Sequence, residues 1–167
     1  MKNFTKLLYV FTTLSLIISC SIRAQEKMLK SGNLTVGEIT YLVRNPQNKS
    51  LILVTKENLL DLTWDIAKNS SKRDVIPRTE LKLNVSELKE LKNKILGDHT
   101  SIIVRFYYGT DEKLIGLEYE INKNDNLTVD QFKKFDKAVR KNFKASFVKS
   151  FDYSNYLPYV VRSVILR

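Results

Sequence analysis

The chain has 167 residues, with 28 basic and 18 acidic side chains, one His, one Cys and three Pro. That length supports one compact domain or at most two very small ones, and 43% hydrophobic content with eight Tyr and eight Phe excludes global disorder. One Cys excludes a disulfide framework and a cysteine-based zinc site, and one His excludes a multi-histidine metal centre.

Residues 1 to 24 have the three-part layout of a secretory signal. Lys2 and Lys6 supply the positive start. Leu7 to Ile18 is apolar but, at about twelve residues, too short to persist as a membrane anchor, so no transmembrane helix is expected in the mature chain. Two cleavage junctions compete. Ile17-Ile18-Ser19-Cys20 has the lipobox pattern, which would remove residues 1 to 19 and leave Cys20 as a lipidated first residue. Ala24-Gln25 has the small-then-polar pattern of an ordinary signal-peptidase site, which would remove residues 1 to 24. Cys20 is therefore a lipid anchor or is discarded, and in neither case a nucleophile. Formal charge falls from +10 to +8 with the first cut and to +7 with the second. A basic exported domain is drawn to anionic lipid or polysaccharide surfaces, or to an envelope protein, rather than to nucleic acid.

Residues 25 to 167 read as a single α+β domain. Gln25 to Asn33 is a polar tether. Leu34 to Arg44 is predicted as one strand, with Ile39, Tyr41 and Val43 alternating against Thr40 and Leu42. Asn45-Pro46-Gln47-Asn48 supplies turn chemistry, and Ser50 to Thr55 completes a hairpin. Lys56 to Asn69 switches to a helical period through Leu59, Leu62 and Ile66. A polar stretch ending at Pro77 marks an internal boundary at 70–80, and Thr79 to Leu83 is a short strand.

Asn84-Val85-Ser86-Glu87 has capping-box spacing and opens a second helix, with Leu88, Leu91, Ile95 and Leu96 as its apolar stripe and Gly97 as its stop. Ser101 to Tyr108 and Leu114 to Ile121 form a hairpin around a Gly109 loop. On its second strand Ile115, Leu117, Tyr119 and Ile121 face inward, while Gly116, Glu118 and Glu120 face water. Thr128-Val129-Asp130-Gln131 is another capping box, followed by the stripe Phe132, Phe135, Val139, Phe143 and Phe147. An aromatic loop, Asp152 to Pro158, leads to a closing strand, Tyr159 to Leu166. The expected order is β-β-α-α-β-β-α-β: an antiparallel sheet with helices packed on one face.

From about Asn84 to Arg167 the order α-β-β-α-β resembles the C-terminal domain of TonB-type proteins. The likeness lies in the strand Ile102-Ile103-Val104-Arg105-Phe106, the turn holding Asp111, a second strand, the helical run Lys137-Ala138-Val139-Arg140-Lys141-Asn142-Phe143, and the apolar last strand. No Pro-rich spacer, lasting anchor or preceding Tyr-Pro pair accompanies it, so the resemblance implies the shape and not energy transduction.

Acid–base chemistry has only paired carboxylates to draw on. Asp61 and Asp65 share a helix face, and Glu118 and Glu120 share a strand face, where cross-strand pairing with Arg105 or Arg162 is the structural alternative. His99 follows a helix end as a loop residue. No Ser-hydrolase, P-loop, zincin or Rossmann fingerprint occurs, so no catalytic residue, metal ligand or cofactor is assigned. Residues 129 to 149 carry Lys133, Lys134, Lys137, Arg140, Lys141, Lys144 and Lys149 against Asp130 and Asp136. Lys134, Lys137, Lys141 and Lys144 are the candidate contacts to an anionic partner, against the reading of a merely solvated helix face. Tyr153, Tyr156 and Tyr159, with Phe151, are candidates for an aromatic recognition surface, against that of a loop folded on the core. The expected function is that of an exported bacterial envelope protein with a non-catalytic binding domain. The alternative is a small carboxylate-dependent hydrolase.

Overall fold

A row of side chains explains the sheet. Val43, Val54, Tyr119, Val104 and Val164 lie directly opposite one another across five antiparallel strands. All five are buried. The neighbouring row, on the opposite face, runs Leu42, Thr55, Glu118, Arg105 and Ser163. Side chains alternate faces along a strand, so one register sets an apolar row toward the helices and a polar row away from them.

In this computed structural model the described residues are 27–47, 50–59, 61, 81–110, 113–142, 146–147 and 159–167. They form β1 (Gly32–Val36), β2 (Ile39–Arg44), β3 (Leu51–Lys56), β4 (Leu81–Lys82), α1 (Val85–Leu96), β5 (Ile102–Gly109), β6 (Leu114–Asn122), α2 (Val129–Asn142), β7 (Ser146–Phe147) and β8 (Tyr159–Leu166). Six strands make one sheet in the order β1-β2-β3-β6-β5-β8, and β4 pairs separately with β7. α1 and α2 pack against each other and share a single core with the sheet. The fold is α+β.

Both predicted helix starts are present. Thr128 Oγ1 accepts from the Gln131 N–H at 3.2 Å while Gln131 Oε1 accepts from the Thr128 N–H at 3.0 Å, a complete capping box. Asn84 Oδ1 accepts from the Glu87 N–H at 3.3 Å, and Gly97 ends α1 at φ +89°. Phe132, Phe135 and Val139 are buried under the sheet. Phe132 meets the Tyr119 ring edge-on at 5.1 Å and the Tyr41 ring at 5.7 Å.

The expected element order is corrected in three places. Leu34 to Arg44 is not one strand: β1 and β2 fold back at Gly37-Glu38, with Val36 opposite Ile39. Gly37 has φ +62°, which a two-residue hairpin loop with glycine first demands. The apolar residues change phase there, from Leu34 and Val36 at even positions to Ile39, Tyr41 and Val43 at odd ones. Second, the aromatic stripe does not run along one helix to Phe147: α2 stops at Asn142, and residues 146–147 pair with 81–82 as β7 and β4. Third, the described order is therefore β-β-β-β-α-β-β-α-β-β. Lys56 ends β3 and Glu57-Asn58 is a turn, so the helix expected over Lys56 to Asn69 does not begin at Lys56; its part beyond Asp61, the signal segment and the boundary at 70–80 lie outside the described residues.

Candidate functional site

The outer face of α2 carries Lys134, Lys137 and Lys141, all exposed, at i, i+3 and i+7. Residues on that spacing form one stripe about 10 Å long. Its positive charges project from the side opposite Phe132, Phe135 and Val139. Lys144, Tyr153, Tyr156 and Cys20 lie outside the described residues. Tyr159 is half-buried at the start of β8, opposite Gly109, so its backbone belongs to the sheet rather than to a recognition loop.

The two carboxylates of β6 have a shared partner. Arg105 Nη1 donates to Glu118 Oε1 and Arg105 Nη2 donates to Glu120 Oε1. Glu118 also accepts from the Thr55 hydroxyl at 3.1 Å. Arg105 sits directly across from Glu118 in the ladder, so the cross-strand alternative to acid–base chemistry is the one observed. Burial alone would lower the Arg105 pKa, but its bonds to Glu120 and Glu118 outweigh that and raise it. Of the other carboxylate pair, Asp61 is exposed and Asp65 lies outside the described residues. His99 is exposed. Among the described residues, no three His, Cys, Asp or Glu side chains gather as metal ligands. No helix among them is long and apolar enough to cross a membrane.

A second charged group is buried between α2 and the sheet. Asp136 is fully buried, and its Oδ1 accepts from the hydroxyls of Tyr41, on β2, and Tyr119, on β6, the latter at 2.6 Å. Arg140, one turn on, places Nε 3.2 Å from both Asp136 oxygens and donates through Nη2 to the Tyr41 hydroxyl. Its guanidinium also lies 5.6 Å from the Tyr41 ring centre. Burial pushes the Tyr119 and Tyr41 hydroxyls well above their ordinary range, and the Asp136 charge adds to it. Both tyrosines stay protonated and act as donors.

The sequence reading missed this network by counting Asp136 and Arg140 with the outer face. Their opposite charges cancel, so the helix keeps its basic outer balance. A signal was present: Asp136 falls between Phe135 and Val139 on the apolar stripe. Lys92 is a parallel case between Leu88 and Leu96. Its stem is buried, and its ammonium reaches Asn93 Oδ1 at 2.9 Å and the Asp98 carbonyl at 3.1 Å.

No family model matches the chain, and no curated protein matches it. Among solved structures, the crystal structure of a DUF5043 family protein from Bacteroides uniformis ATCC 8492 is similar, with a TM-score of 0.59. The match covers 86% of this chain and 92% of that one at 8% identity. The likeness is of fold alone.

Proposed function

We propose that the chain is an exported bacterial envelope protein whose folded domain binds an anionic partner through the outer face of α2. The observation that carries this is the stripe of Lys134, Lys137 and Lys141, exposed together and without ion-pair partners among the described residues. Sorting of α2 into an inward Asp136–Arg140 pair and outward lysines supports it, because the remaining basic charge is left facing solvent. Use of Glu118 and Glu120 as ligands of Arg105 also favours binding over carboxylate chemistry. Export rests on Lys2, Lys6 and the apolar run Leu7 to Ile18, followed by attachment through Cys20 or release at Ala24-Gln25. The partner is an envelope protein or an anionic surface.

The test is cosedimentation with anionic vesicles across a salt series, using a Cys20→Ser chain so that no acyl group dominates. Binding through α2 should fade as the Debye length shrinks from about 10 Å at 0.1 M salt to about 3 Å at 1 M. Reversing Lys134, Lys137 and Lys141 to Glu should abolish it while leaving the melting curve in place. Unchanged binding after the reversal would discard the basic-face proposal.

A further inference from the structure

The entering chain is pinned beside the start of α2. Val129 donates its N–H to the Lys27 carbonyl at 2.8 Å, and Leu29 donates to the Leu127 carbonyl at 3.3 Å. Met28 and Thr128 form the bridge between them. The backbone thereby fixes Lys27 and Lys30 near Lys133, and the three line a cleft of about 390 Å³. Leu34 and Val43 belong to its apolar wall, and Ser31 and Asn33 add a hydroxyl and an amide.

We propose that this cleft is a binding site for a phosphomonoester group. The side chains of its three lysines have no ion-pair or hydrogen-bond partner among the described residues. Among the described residues of the lining Asp130 is the only acid, so these residues carry a formal charge of +2. A phosphomonoester carries about −1.5 to −2 at neutral pH, and a monocarboxylate only half of that. Backbone bonds bring the three lysines to one cleft, where a dianion would meet all three charges. Lysine suits the task, as a compact charge that meets phosphate without fixed geometry. The first turn of α2 adds its positive end as a field, while its Val129 and Gln131 N–H groups already have acceptors. The volume falls in the range of small-molecule sites, about 300–1,000 Å³. The apolar wall leaves room for a short carbon backbone beside the phosphate. Two sources share that chemistry: a soluble phosphorylated metabolite and a phosphomonoester lipid headgroup.

The proposal uses Lys27, Lys30 and Lys133 and is independent of the outer-face stripe. The Cys20→Ser chain is titrated calorimetrically with glycerol 3-phosphate and, at equal ionic strength, with acetate. In parallel it is sedimented with phosphatidylcholine vesicles containing phosphatidic acid. Saturable one-to-one binding of glycerol 3-phosphate at least tenfold tighter than acetate is expected. The pair Lys30→Gln and Lys133→Gln should weaken it at least tenfold with an unchanged melting temperature. The pair Lys89→Gln and Lys94→Gln, exposed on α1, should leave it intact. Binding confined to the vesicles, and lost in the Lys30/Lys133 pair alone, supports the proposal with the lipid as source. Acetate binding as tightly, equal losses in both pairs, or no binding of either probe overturns it.

Discussion

Replacing Asp136 by alanine removes one acceptor that serves three donors. The Tyr119 hydroxyl donates to Asp136, while Tyr41 retains a contact with Arg140. A buried hydroxyl left without a partner costs about 1–3 kcal/mol, and a buried ion pair broken from one side about 3–5 kcal/mol. Arg140 keeps 20% of its side chain exposed, so its stranded charge can turn partly toward water. Asp136→Ala should therefore cost about 3–5 kcal/mol, with the charge contributing toward the lower end. Tyr119→Phe, which deletes one donor and leaves the ion pair intact, should cost about 1.5–3 kcal/mol. Replacing the whole cluster with apolar groups (Asp136→Leu, Arg140→Leu, Tyr41→Phe and Tyr119→Phe together) should cost less than Asp136→Ala alone, because nothing buried is left unpaired. Urea melts followed by circular dichroism at neutral pH rank the three proteins. A cost below about 1 kcal/mol for Asp136→Ala, or a fourfold variant less stable than it, would refute the account.

Alkaline pH should unfold the protein through its tyrosines. Burial pushes the Tyr108 hydroxyl from 10.0 up to about 12, so the unfolded chain ionises first and stability, complete below pH 10, falls as pH climbs toward 12. Tyr108→Phe should make that fall shallower in urea midpoints taken across the range. At pH 7 it should be neutral or stabilising, since the hydroxyl has no hydrogen-bond partner among the described residues. A loss above about 1 kcal/mol would mean that a partner exists. Gly116→Ala should cost about 1–3 kcal/mol in the same melts. A Cβ there would lie 2.6 Å from Leu59 Cδ1, on a side chain that is itself buried. Pairing the change with Leu59→Ala should recover part of the overpacking cost, and no recovery would place the clash elsewhere.

Local signals were legible wherever one residue type had one physical role. Thr128 and Gln131 announce a helix start by spacing alone, whereas the partner of Glu118 stayed open between Arg105 and Arg162, and the register slip between Tyr107 and Tyr108 hides the pairing from a count along the hairpin. The β1–β2 turn showed only as a phase slip, from Leu34 and Val36 at even positions to Ile39, Tyr41 and Val43 at odd ones, and so short a break is masked within a run rich in β-branched and aromatic residues. Asp136 and Arg140 were misplaced for a different reason. Polar residues on a helix are read as solvated unless a partner is in view, and the partners Tyr41 and Tyr119 are far away in sequence. The lysine cleft needed three dimensions for the same cause: Lys27 and Lys133 meet only because the bridge at Met28 and Thr128 brings them together.

The place of β8 sets a timetable. β5 is an interior strand, yet one of its two neighbours is the last strand in chain order, with Ile102 opposite Leu166 and Gly109 opposite Tyr159. Roughly fifty residues must therefore be made after β5 before its second edge can be covered. At about 5–20 residues per second, that is an interval of about 2–10 s. Throughout it, Val104 and Phe106 have no strand to close over them, and the core cannot lock. A ribosome still working on this protein holds a chain that is pliable enough to be threaded elsewhere, and equally one that stray strands can join.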